Sequence, residues 1–208
     1  ARDMEFALAS KMNDELWFVL ASNEETLKRY PYQFSLMIGY RITGRKVRVM
    51  WNVMNHDNRM IYFSIGGHPA FLSPVEGAAI EFDVHGPITA GVLEYGLLSD
   101  RTKSFALDGG RMALSYDIFQ EDALIFEDQE IRRAALLDPD GTKVLELLFN
   151  SPLLGIWTPV GKNAPVVCIE PWYGRTDRSS FAGELSEREL GNALKPSEVF
   201  STHYDIIV

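Results

Sequence analysis

Apolar and polar residues alternate with a period of two along most of this 208-residue chain. Tyr32, Phe34, Leu36, Ile38 and Tyr40 take every second place in "YQFSLMIGY". Val47, Val49, Trp51 and Val53 do the same in "VRVMWNV", beyond a turn that contains Gly44. A strand sends successive side chains to opposite faces, so each run predicts a strand with one buried face. Ile61, Phe63 and Ile65 repeat the pattern, as do Ile80, Phe82 and Val84. Further strands are predicted over 112–116, 122–127, 132–138, 144–149, 165–170 and 199–207, with "DPDG" at 138–141 as a hairpin turn. Many short strands divided by turn signals indicate an antiparallel sandwich or barrel-like all-β fold.

Helix signals are few. Ser22 with Glu25 three residues on forms a capping box and predicts one short helix over 22–29. "ELSERELGNAL" at 184–194 predicts another turn or two. Neither a repeat nor a linker divides the chain, so residues 1–208 are expected to form a single domain.

Composition narrows the function classes. Hydrophobic residues make up 46% and charged residues 24%, as in an ordinary soluble protein. A net charge of −9 argues against nucleic acid, whose phosphates call for basic surfaces. No apolar run approaches the ~20 residues of a membrane span. Cys168 is the only cysteine, which excludes an intrachain disulfide and a zinc site built on thiolates. The four histidines, His56, His68, His85 and His203, have no close ligand spacing, so neither a metal nor a cofactor is expected. A reducing, cytoplasmic setting fits these features. The chain starts at Ala1-Arg2-Asp3, without an initiating methionine or a signal peptide.

Two stretches carry candidate chemistry. In "IYFSIGGHPAF" a strand runs up to His68 between two glycines and a proline. Glycine permits close backbone approach and proline fixes the chain beyond, a rigid way to present an imidazole. A tight turn with an incidental histidine would look the same. In "VVCIEPWYGRTD" the apolar strand Val166, Val167, Ile169 ends in Glu170, with Pro171, Trp172 and Tyr173 following. Desolvation there would raise the carboxyl pKa and suit it to general-base work, while the aromatic rings offer flat faces to a sugar's C–H groups. An ion pair at a strand end would also account for the glutamate. An imidazole and a carboxylate, with no G-x-S-x-G, P-loop or G-x-G-x-x-G in the chain, suit reversible proton transfer. Cys168, among apolar neighbours, reads as core.

Together, "FSIGGHPAF" and "CIEPWYGRTD" resemble the aldose 1-epimerase (galactose mutarotase-like) superfamily, in its LacX-like branch. "YPYQFSLMIGYRI", "VMNHDNRM", "FQEDALIF" and "ALKPSEVF" fall in the family's order, so the resemblance covers most of the chain from Tyr30 onward. Ser197 departs from it, standing where the family commonly has glycine. The resemblance implies a large antiparallel β-sandwich with a sugar groove on one sheet and no cofactor. It makes Glu170 the base that takes the anomeric hydroxyl proton and His68 the acid that protonates the ring oxygen. The two are then expected to face one groove with a pyranose-wide space between them. Asp122 falls where the family has a sugar-binding aspartate, and Trp172, Tyr173 and Arg175 extend the expected sugar contacts. The implied function is anomer interconversion of a hexose. A non-catalytic sugar-binding module and a sugar-phosphate epimerase using Arg175 and Arg178 are the alternatives. "ARDMEF" resembles the family segment that follows a His-Gly-Phe motif, so an N-terminally incomplete domain is expected, without the family's other site histidine and an arginine.

Overall fold

The computed structural model describes residues 3–127 and 130–208. It is built almost wholly of antiparallel strands, as the alternation predicts. The chain divides into two compact units, residues 1–63 with 192–208, and residues 64–191.

The first unit is a meander in which Ala7–Lys11, Glu15–Ala21, Phe34–Thr43 and Lys46–Asn55 pair in sequence, and Val199–Ile207 adds to the last of them. The Phe34–Thr43 and Lys46–Asn55 strands turn at Gly44, whose φ of 58° is one that glycine adopts without strain. Ile61–Phe63 and Asn192–Leu194 form a separate two-stranded ribbon. The short helix is Glu24–Leu27, smaller than the span predicted over 22–29. Its capping box uses Asn23 and Thr26, one residue beyond the expected Ser22 and Glu25 pair. Asn23 takes the cap, and the Ser22 hydroxyl accepts from the Phe34 N–H at 3.3 Å instead. Ser197, at φ 64°, lies in the left-handed region, which explains why glycine is usual there.

The second unit is a sandwich of two sheets. One orders Lys143–Phe149, Arg133–Leu137, Ala79–Phe82 and Arg111–Ala113. The other orders Leu97–Phe105, Ile88–Glu94, Leu124–Glu127, Leu153–Trp157, Val166–Tyr173 and Ile65–Gly66, with Ala70–Leu72 also on Val166–Tyr173. Phe82 of one sheet meets Phe126 of the other, centroids 5.9 Å apart, in the buried layer between them. Each such side chain contributes about 1.5–3 kcal/mol by leaving water.

Three predicted elements differ. The 184–194 segment is a single 3₁₀ turn, Leu185–Glu187, which ends where the backbone turns extended at Arg188, followed by the Asn192–Leu194 strand. The run at 61–65 is broken at Ser64 and feeds two different sheets. The 165–170 strand does not stop at Glu170 but continues through Pro171 to Tyr173. Pro171 is tolerated because one side of the strand lies against the gap between Ile65–Gly66 and Ala70–Leu72. No helix of the described residues is long and apolar enough to cross a membrane.

Candidate active site

The gap in that edge is what positions the site. Trp172 pairs with Gly66 before it and Cys168 with Ala70 after it, and continuing the register through the gap sets His68 opposite Glu170. Cross-strand neighbours bring their Cβ atoms to about 5 Å. His68 Nδ1 accordingly stands 3.4 Å from Glu170 Oε1. The expectation of a pyranose-wide space between the two is not met. They are neighbours, both lining a cavity of about 350 Å³ with Gly66, Trp172 and Gly174.

Glycines shape the floor of this cavity. Leu153 and Gly66 flank Trp172, and Gly155 pairs with Glu170. The Trp172 indole lies flat over both glycines, and a Cβ on Gly155 would come 2.7 Å from its ring. Its N–H donates to the Gly67 carbonyl at 3.3 Å. The ring packs on a buried cluster of Leu98, Ile125 and Leu153 on the outer face of the sheet. The Gly66-Gly67 pair thus permits close approach of an aromatic ring, and neither residue has a positive φ.

Glu170 is set among these apolar neighbours and is 3% exposed, whereas the His68 side chain is 60% exposed. Burial pushes the Glu170 carboxyl up to about 8, with the Asp122 charge adding to the rise and the Trp172 N–H opposing it. Asp122 sits at φ 76°, a strained position for a non-glycine residue, where its N–H is bonded to the Phe119 carbonyl at 3.0 Å. It precedes the strand Leu124–Glu127 rather than lying in it. Such strain persists where the surrounding structure enforces a particular side-chain direction.

The other expected contacts are placed unequally. Tyr173 alternates to the side of the strand opposite Glu170 and Trp172. The Arg175 side chain lines the cavity but is only 2% exposed, its guanidinium held by the carboxylates of Glu127 and Glu189. Arg178 is drawn into the same cluster, 3.0 Å from Glu189. Cys168 shares the Glu170 face, but burial and then the Glu170 charge push its thiol up to about 12, so it is no nucleophile. His68, Cys168 and Glu170 offer donor atoms within 4.8 Å of one another. A thiol held protonated and an acid raised toward neutrality make a poor ligand set for a cation. Trp157 is a site residue that sequence reasoning missed. Its ring meets His68 edge-on, centroids 5.5 Å apart, and buttresses the imidazole from the side away from Gly66.

An antiparallel sandwich bearing a buried carboxyl and an imidazole on its outer face, beside a flat tryptophan, defines the galactose mutarotase-like class. The chain belongs to that family, the aldose 1-epimerases, in the branch of LacX. It is 30% identical over its whole length to the plasmid form of protein LacX from Lactococcus lactis subsp. lactis, of which it covers 73%. The chromosomal form of that protein is matched equally. A galactose mutarotase related enzyme from Lactobacillus acidophilus superposes with a TM-score of 0.91 at 27% identity, over 99% of this chain and 71% of that one. A galactose mutarotase-like protein from Lactobacillus casei gives the same TM-score at 23% identity, which bears on the fold alone. No family model matches the chain.

Proposed function

We propose that this protein is an aldose 1-epimerase acting on an unphosphorylated hexose. The observation that carries the reading is the pairing of a buried Glu170, raised to about 8, with His68 at 3.4 Å on an open face. In anomer exchange the two reacting oxygens are bonded to one carbon, C1. An acid and a base serving them must therefore be adjacent. Glu170 as carboxylate takes the proton from the C1 hydroxyl, and His68 gives a proton to the ring oxygen. The C1–O5 bond breaks as the C1 carbonyl forms. Rotation about C1–C2 and the reverse transfers close the ring as the other anomer. A base with a pKa near neutrality suits this work, since it takes a proton readily while a share of it is ionised at neutral pH.

A sugar-binding module without catalysis would use the Trp172 face equally well but has no need of a carboxyl raised beside an imidazole. That feature favours the enzyme. A phosphorylated substrate fits less well, because the guanidiniums of Arg175 and Arg178 are engaged by Glu127 and Glu189. The test is NMR exchange between α and β anomers of free hexoses with the protein added. Glu170→Gln should still bind sugar and lose about 10²–10⁴-fold in exchange rate. Undiminished exchange in that variant would remove Glu170 from the role given to it.

A further inference from the structure

Beside the Glu170 cavity lies a larger one, of about 830 Å³, lined by Tyr95, Gln120, Asp122, Trp157, Pro159 and Lys162 among others. The two adjoin through residues in contact. Trp157, which lines the larger cavity, meets the His68 that lines the smaller. Asp122, also in the larger, is the charge that acts on Glu170. The Thr176 hydroxyl, on the rim of the smaller, donates to the Gly96 carbonyl of the larger at 2.7 Å. A ligand reacting at Glu170 therefore has room to continue past Asp122.

The outer wall of this cavity is unusual. Glu94 pairs with Leu97, so Tyr95 and Gly96 alone close the hairpin, at φ 54° and 80°. This turn type favours Asn-Gly or Gly-Gly, and a bulky aromatic residue in its first place is strained. The ring gains nothing from burial to offset that strain, since Tyr95 is 106% exposed relative to its reference state. Strain kept at the rim of a cavity, with the turn backbone fixed by Thr176, points to a ligand as the ring's partner. The lining charges fit a neutral ligand: Glu121 is paired with Arg101 and Lys103, and Asp122 and Lys162 bring one charge of each sign to the wall.

We propose that the larger cavity is a second saccharide subsite, with Tyr95 as the aromatic platform for a sugar residue linked beyond the ring that reacts. The inference rests on the epimerase reading for its first ring. Two aromatic faces, an amide, a carboxylate and an ammonium supply what a neutral pyranose offers: apolar C–H faces and hydroxyls. Tyr95→Gly is the informative variant, because glycine relieves the positive φ and leaves the fold secure.

Anomer exchange is measured by NMR with D-glucose and with cellobiose, a reducing disaccharide, for the parent chain and Tyr95→Gly. The cellobiose-to-glucose ratio of kcat/KM should fall about tenfold in the variant, the size of one good aromatic contact. An unchanged ratio would overturn the subsite while leaving the epimerase reading intact. Saturation transfer from the protein's aromatic protons separates the two further, since it needs no turnover. Transfer to the non-reducing ring of cellobiose, lost in Tyr95→Gly, supports the subsite even if neither sugar is turned over. Equal transfer to both rings in parent and variant counts against it, as does self-association of the parent that disappears in the variant.

Discussion

Replacing Glu170 with glutamine should raise stability at neutral pH while abolishing the proposed reaction. An ordinary glutamate carboxyl titrates at 4.5, and burial moves this one to about 8 in the folded protein. At pH 7 the unfolded chain therefore holds Glu170 ionised and the folded chain holds it largely protonated, so folding takes up a proton. The contribution of this group is most favourable below about pH 4.5 and is lost as pH rises through 8. Each pH unit between the two values costs about 1.4 kcal/mol, which gives about 3 kcal/mol at pH 7 and a ceiling of about 5 kcal/mol above pH 8. Glutamine keeps the shape and cannot ionise. The variant should match the parent near pH 4.5 and exceed it by about 3 kcal/mol at pH 7. For a chain of this length that is roughly 6–12 °C in Tm. The assay is denaturation of both proteins between pH 5 and 9. Carboxyls held low by arginine partners, such as Glu81, Glu146 and Asp205, lose their contribution only below this window. His203, which burial lowers, titrates alike in both proteins and cancels in the difference. A difference that stays flat from pH 5 to 9 would refute the assignment of a raised pKa to Glu170, and with it the case for a poised base.

Much of this site was legible in the chain because its two motifs bring their own geometry. "GGHPAF" and "CIEPWYG" each mark a strand edge, and the pairing of Trp172 with Gly66 fixes which residues face each other. The alternating strands were equally plain, since each buries one face. The strand Leu153–Trp157 was not. All but one of its residues are buried, because the sandwich core covers one face and the Leu98–Ile125–Leu153 cluster the other. A strand buried on both faces loses its period of two. Ile88–Glu94 and Leu97–Phe105 escaped for a different reason. Their hairpin closes through Tyr95-Gly96, a pair that turn chemistry alone does not announce. Arg175 illustrates the limit on the chemical side. Sequence placed it beside Glu170 correctly in the chain but could not reveal Glu127 and Glu189, far apart in sequence, as its partners.

Three further outcomes follow. His68→Asn should slow anomer exchange by about 10²–10⁴-fold with the fold intact, and a parent-like rate would remove His68 as the acid. Ser197→Gly should stabilise the protein by about 1 kcal/mol by freeing a residue from φ 64°, and a lower melting midpoint would deny that the backbone there is strained. Gly155→Ala tests the packing beneath the site. The backbone at Gly155 has no positive φ, so alanine is strained there only by what it touches. Its Cβ would stand 2.7 Å from the Trp172 ring, which cannot move inward against Leu98, Ile125 and Leu153. The indole must lift toward the sugar side, at a cost of about 1–3 kcal/mol in stability. Gly86→Ala is the control, since nothing lies within 4 Å of a Cβ built there and its φ is not positive. Only Gly155→Ala should shift the Trp172 indole N–H resonance and slow anomer exchange. If both variants melt alike and leave that resonance in place, the glycine is not what seats the tryptophan beside Glu170.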